Sequence, residues 1–152
     1  MQLRVGVAGL CSDHLWPVWG KGILRETIES GFYQIVAAAD KNAPLLDRIR
    51  TEYGVKNTYH SYEGMIRKED LDVVIIGVPN NEKADVVEIA AERNMHVLID
   101  KPMSANLKQA ERILSAAKRY NIKGLVYYPG LLDPKSLEIY RLVKNGILGE
   151  IF

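Results

Sequence analysis

Cysteine is almost missing from this chain: Cys11 is the single one in 152 residues. No internal disulfide can form, and a disulfide-built secreted fold is excluded. Long apolar runs are missing too. The longest, such as VVIIGV at 73–78, falls well short of the ~18 residues a membrane-spanning helix needs. The start carries Arg4 and a brief apolar run, but Asp13 and His14 follow at once, a poor pattern for a signal peptide. Charge of one sign is also lacking, since 20 Lys and Arg against 19 Asp and Glu leave a formal +1. That balance gives no electrostatic case for nucleic acid or an anionic membrane as the main partner. A cytoplasmic protein is the expectation.

What is present reads as one ordinary globular domain, with 47% hydrophobic and 26% charged residues. Short apolar runs alternate with helical patterns. Strands are expected at LRVGVAG (3–9), YQIVAAAD (33–40), LDVVIIGV (71–78), HVLID (96–100) and KGLVYY (123–128), with a brief one near Thr58. The fourth of these six, 71–78, is apolar enough to be buried on both faces, as parallel sheets require. Between them lie helical segments at 14–31, 43–54, from Tyr62, 82–94 and 106–121, and a last one with Asp133 as N-cap, Pro134 at N1 and Gly146 at C′. Asn42 is the expected cap of the second helix. Leu107, Ala110, Leu114 and Ala117 mark the expected buried stripe of the fifth. Strand and helix alternating about six times imply an α/β, doubly wound, mostly parallel sheet in three αβα layers. Right-handed crossovers then bring every strand's carboxyl end to one edge, where such sheets bind ligands.

That edge collects Gly9 from the first strand, Asp40 from the second, Pro79 and Asn80 after the fourth, and Asp100 with Lys101 from the fifth. As a G-x-G-x-x-G dinucleotide turn, GLCSDH keeps only the first glycine; Cys11 and His14 hold the other two places. Cysteine is small, and the phosphate site is built from backbone amides, so Cys11 is compatible with it. A bulky His14 should push the following helix outward or alter the cap. A carboxylate at Asp40 can accept both hydroxyls of an adenosine ribose and would repel a 2′-phosphate, which favours NAD over NADP, although Lys41 beside it softens the preference. Asp40 stands further on than the usual ~20 residues after the glycines, a gap that a longer first helix explains.

With these residues the chain resembles the nucleotide-binding half of the Gfo/Idh/MocA oxidoreductases, from VGVAGL through VAAADKN and LDVVIIGVPNNEKADVVEIAAERNMHVLIDKP to LVKNGILGEI. The resemblance implies a Rossmann domain over 1–152. It also implies hydride transfer between NAD, or NADP, and a hydroxyl or carbonyl of a sugar, cyclitol or related polyol. Asp-Lys-Pro at 100–102 stands where the family carries Glu-Lys-Pro. By that likeness Lys101 is the catalytic candidate, bonding near the nicotinamide ribose and the substrate hydroxyl with a pKa lowered at a partly desolvated strand end. Asp100 would touch the cofactor side and Pro102, often a cis peptide in such motifs, would fix the turn. The cofactor-binding candidates are Gly9, Cys11, Ser12, His14, Asp40, Val78, Pro79, Asn80, Asp100, Lys101 and Pro102.

Departures from the pattern bear on function. Lys83 stands where the family's histidine is usual, and YYPGLLDP at 127–134 lacks the usual arginine. The family's second domain, which supplies most substrate contacts, a catalytic histidine and the common dimer surface, is expected to be absent, so the chain alone should not turn over substrate efficiently. A non-catalytic nicotinamide-nucleotide-binding or interaction module is the alternative, and a homo-oligomer remains possible. A methyltransferase would share the acid after the second strand but not the Lys-Pro exit of the fifth. Cys11, Asp13 and His14 make a poor metal set, three near-adjacent loop residues with no second cluster. Trp16 and Trp19 are read as a cover for the cofactor cleft or a surface for a second domain or subunit, and His96 as structural.

Overall fold

The computed structural model describes residues 2–17, 22–128, 130 and 133–150. Six strands and six helices alternate: β1 Leu3–Ala8, α1 Ile23–Glu29, β2 Tyr33–Ala39, α2 Ala43–Tyr53, β3 Asn57–Tyr59, α3 Tyr62–Lys68, β4 Val73–Ile76, α4 Lys83–Glu92, β5 His96–Asp100, α5 Leu107–Tyr120, β6 Gly124–Tyr127 and α6 Pro134–Lys144. Each strand pairs in parallel with its neighbours in the order β3-β2-β1-β4-β5-β6. The chain winds outward from β1 in one direction and then from β4 in the other, so the crevice between these two exits is the switch point where such sheets bind nucleotides.

Both faces of the sheet are covered, as its apolar strands require. On one face Ile23, Leu24, Leu46 and Ile49 of α1 and α2 pack on Val5, Val7, Ile35 and Ile75. On the other, Met65, Ile66, Val86, Val87, Ala90, Ala91, Ile113 and Ala116 of α3, α4 and α5 pack on Ala37, Ala39, Val74, Ile76, Val97 and Ile99. Short alanines in β2 let the helices come close to the backbone. Among the described residues no helix is long and apolar enough to cross a membrane.

Several local expectations hold. Asp133 accepts from the Lys135 amide at 2.9 Å with Pro134 at the first helical position, and Gly146 follows the C-cap with φ 70°. A cap that the sequence reading had not named is Asn106, which caps α5 by accepting from the Gln109 amide at 3.0 Å.

Four expectations need correction. The helix placed over 14–31 is only Ile23–Glu29 among the described residues. The distance from Gly9 to Asp40 therefore does not come from a longer helix; residues 13–16, ahead of α1, form turns. Asn42 sits at the N-cap of α2 without a capping bond from its side chain; its own amide instead donates to Asp40 Oδ1 at 2.7 Å. The buried side of α5 is Ile113 and Ala116, while Leu107 and Leu114 are 75% and 52% exposed. Arg112, half-buried at the margin of the contact between α4 and α5, bonds Asp85 and Glu88 of α4. Finally, Trp16 covers no cleft. It is buried, donates from Nε1 to the Leu10 carbonyl at 2.8 Å, meets Tyr53 at 6.0 Å between ring centroids, and carries the Arg48 guanidinium 4.0 Å above its ring. Trp19 lies outside the described residues.

Candidate functional site

At the β1 exit the backbone turns at Gly9 with φ 84°, a conformation that L side chains rarely adopt, and its amide donates to Ala39 O at 2.8 Å. Close approach also demands glycine there, because an added Cβ would lie 2.4 Å from the Val78 amide nitrogen. Asp40, one residue past β2, ties this turn down. Its Oδ2 accepts the Leu10 amide at 2.6 Å and its Oδ1 accepts the Asn42 amide at 2.7 Å. Each carboxylate oxygen has a second lone pair, so Asp40 can still receive two hydroxyl donors from a ligand. Among the described residues the amides of Ser12 and Asp13 find no protein acceptor and remain free to bind an anion.

Beside this turn, Cys11 Sγ contacts the Gly77 carbonyl at 3.4 Å. Burial, and then the charge of Asp40, push the Cys11 thiol above its ordinary range. Gly77, which in the sequence merely interrupts an apolar run, makes the close approach of the β1 and β4 exits possible. An added Cβ there would sit 2.6 Å from Leu15 Cδ1 and 2.8 Å from the Gly9 carbonyl. The resulting cleft, about 180 Å³, is lined by Gly9, Cys11, Asp40, Lys41, His60, Tyr62, Val78, Pro79 and Glu82. A whole ligand site is commonly ~300–1,000 Å³, so this cleft suits one end of an elongated ligand. Lys41 reaches across its mouth to Glu82, 3.3 Å away. His60, read from the sequence as lacking convincing ligand partners, lines the cleft with Tyr62 and Glu82, which the sequence did not mark as site residues; only the pairing of β3 beside β2 brings the first two to the cleft.

The β5 exit is built differently from its neighbours. Asp100 is buried, and its carboxylate accepts from the Ser12 hydroxyl and contacts His14 Nδ1 at 2.9 Å. Ser12 Oγ accepts in turn from the His14 amide at 3.3 Å. The acid that ends β5 therefore grips the loop after β1. Lys101 is exposed, the Lys101–Pro102 peptide is cis, and Pro79, Asn80 and Pro102 are exposed on the same edge. Lys83 is the residue that sequence reading undervalued. It is only 1% exposed, and its Nζ donates to the carbonyls of Asp100 and Pro102. Burial lowers the pKa of Lys83, against an opposing pull from Asp100. The desolvated lysine at this strand end is thus Lys83, not Lys101. Its departure from the usual histidine was the available signal.

A parallel sheet of order 3-2-1-4-5-6, with a glycine turn at its first exit and an acid at its second, defines the dinucleotide-binding class of α/β domains. Residues 3–128 match the model of the GFO_IDH_MocA family, described as an oxidoreductase family with an NAD-binding Rossmann fold, and the chain belongs to that family. A trans-1,2-dihydrobenzene-1,2-diol dehydrogenase of Danio rerio is 28% identical over 131 residues, covering 85% of this chain and 39% of that protein. Among solved structures, the fold is shared with myo-inositol 2-dehydrogenase of Lactobacillus plantarum (TM-score 0.86, 22% identity, 100% of this chain and 44% of that one). It is also shared with scyllo-inositol dehydrogenase of Lactobacillus casei holding NAD(H) and scyllo-inositol (TM-score 0.84, 21% identity, 99% and 43%). The chain spans about two fifths of the length of the curated relatives it matches.

Proposed function

We propose that this chain is the cofactor domain of a dehydrogenase that acts on the hydroxyl and carbonyl pair of a sugar, cyclitol or related polyol, with NAD preferred over NADP. The observation that carries the reading is the meeting, on one sheet edge, of the Gly9 turn, the Asp40 carboxylate, the Pro79–Asn80 turn and the Lys101 amine. The loop at Gly9, Cys11, Ser12 and His14 would face the pyrophosphate with its free amides, and Asp40 would accept the adenosine ribose hydroxyls on its unused lone pairs. Lys41, engaged by Glu82, is drawn away from the service a 2′-phosphate would need. Val78, Pro79 and Asn80 would border the middle of the cofactor.

The bound nicotinamide supplies the hydride acceptor or donor. Lys101 would bond the substrate hydroxyl and take its proton on Nζ during oxidation, returning it during reduction. Asp100 and Pro102 hold the turn that presents it. The polyol class rests on what the related diol and inositol dehydrogenases are named for. Turnover needs the substrate held in near-attack geometry from both sides, so efficient catalysis is proposed for these residues together with a substrate domain such as the longer relatives have room for, and cofactor binding for this chain by itself.

Titration calorimetry of this chain with NAD and NADP tests the reading. Saturable sub-millimolar binding of NAD, weaker with NADP, is the expected result. Heats indistinguishable from dilution for both nucleotides at millimolar concentration would overturn it.

A further inference from the structure

The Asp100–Lys101–Pro102 turn is held from beneath by one buried amine. Lys83 stands at the first turn of α4 with 1% of its surface exposed, and its Nζ donates to the carbonyls on either side of Lys101: that of Asp100, and that of Pro102 at 2.7 Å. Lys101 itself is exposed. The same turn is held from the other direction by the Asp100 carboxylate, which engages Ser12 and His14 of the loop after β1.

We propose that Lys83 is a positioning residue for Lys101, the first link of a clamp that runs from α4 through Asp100 to the Ser12–His14 loop and fixes the backbone that carries the exposed amine. The inference rests on the cofactor reading above for the purpose of the clamp, but not for its existence. Its physical basis is that a buried ammonium has to be satisfied by hydrogen bonds, and here two of its three donors are spent on the two carbonyls that bracket Lys101. A methionine of similar length would fill the space yet hold neither carbonyl. Burial lowers the pKa of Lys83, which fits an amine kept for its donors at the expense of its hydration. A lysine serving only to solubilise α4 would lie on its outer face, as Lys118 and Arg119 lie at the end of α5.

The test compares backbone 15N relaxation of the wild-type chain and Lys83→Met, both without cofactor. The wild type should show Lys101 as rigid as the sheet, with an order parameter near ~0.85, and the variant should bring it below ~0.6 while Asp40 and β4 keep their values. An unchanged Lys101 in a folded Lys83→Met chain overturns the proposal. If that variant does not fold, Ser12→Ala cuts the other end of the same clamp at a half-buried site and is read in the same way: loosening at Lys101 supports the clamp, and no change overturns it. NAD is then titrated into the same labelled samples. A wild type whose Gly9 and Asp40 resonances ignore NAD removes the cofactor reading, while the mobility comparison still decides the clamp. With NAD bound, the variant should keep the Asp40 response and lose the Lys101 response seen in the wild type.

Discussion

The Asp40 carboxylate accepts the Leu10 amide at 2.6 Å, so the acid that ends β2 also fixes the turn that ends β1. One side chain thus shapes the loop and presents lone pairs to whatever the loop holds. Asp40→Ala would leave the buried Leu10 donor unsatisfied, which costs about 1–3 kcal/mol. It would also weaken NAD binding at least tenfold. Urea unfolding and calorimetry on one preparation check both effects. A variant of unchanged stability would show that the amide contact carries no weight, and an unchanged NAD affinity would exclude Asp40 from the ribose site.

Gly9 leaves no such latitude. Alanine there combines a positive φ, which costs on the order of 1–3 kcal/mol for a residue with a side chain, with a Cβ 2.4 Å from the Val78 nitrogen. Relief requires the β1 and β4 exits to part. Gly9→Ala should therefore unfold at clearly lower urea than Gly31→Ala, since Gly31 also has a positive φ but nothing within 4 Å of an added Cβ. Equal midpoints for the two variants would show that the close approach is not what the glycine secures.

How much of this was legible in the sequence follows from the range of the forces involved. The strands were legible because short apolar runs broken by glycine, proline or a charged residue are a local signal, and their parallel winding placed Gly9, Asp40, Pro79 and Lys101 on one edge. Trp16 was not, since what buries it is Tyr53 and Arg48 on α2, far along the chain. Lys83 was legible only as a departure from the usual histidine, because the carbonyls of 100 and 102 that surround its amine come from a later strand end. On α5 two neighbouring stripes satisfy helical spacing, and which of them is buried is settled by the packing of Ile113 and Ala116 in the core shared with α4, a contact between distant parts of the chain.

Cys11 gives a chemical reporter of the cleft. Its thiol lines the space between Gly9 and Val78, and burial followed by the Asp40 charge raises its pKa from 9.0. The thiolate is the reactive form, so alkylation by iodoacetamide at pH 8 should run slower than that of an unperturbed thiol. Saturating NAD should slow it further by covering the cleft. As the chain has one cysteine, the intact mass reads the extent directly. A rate indifferent to NAD would place the cofactor away from this turn.

The buried amine of Lys83 should leave a mark on stability at alkaline pH. Its folded pKa lies below the 10.5 of the free side chain because burial disfavours the ammonium more than Asp100 favours it. Between the lowered value and 10.5 the unfolded chain binds more protons than the folded one, so this group's contribution to stability rises with pH across that window and levels off above it. Tyr59 acts in the opposite sense. Its hydrogen bond to Glu69, with burial, pushes the hydroxyl from 10.0 up to about 12, and the stability it lends is lost as pH climbs through that range. Subtracting the Lys83→Met variant removes the tyrosine from the comparison. The difference in unfolding free energy, wild type minus variant, should grow as pH rises from neutral toward 10.5, measured by urea unfolding at each pH. A difference that stays flat would mean that the amine is as well solvated in the fold as in the open chain, and one that shrinks would mean that Asp100 and the two carbonyls outweigh its burial.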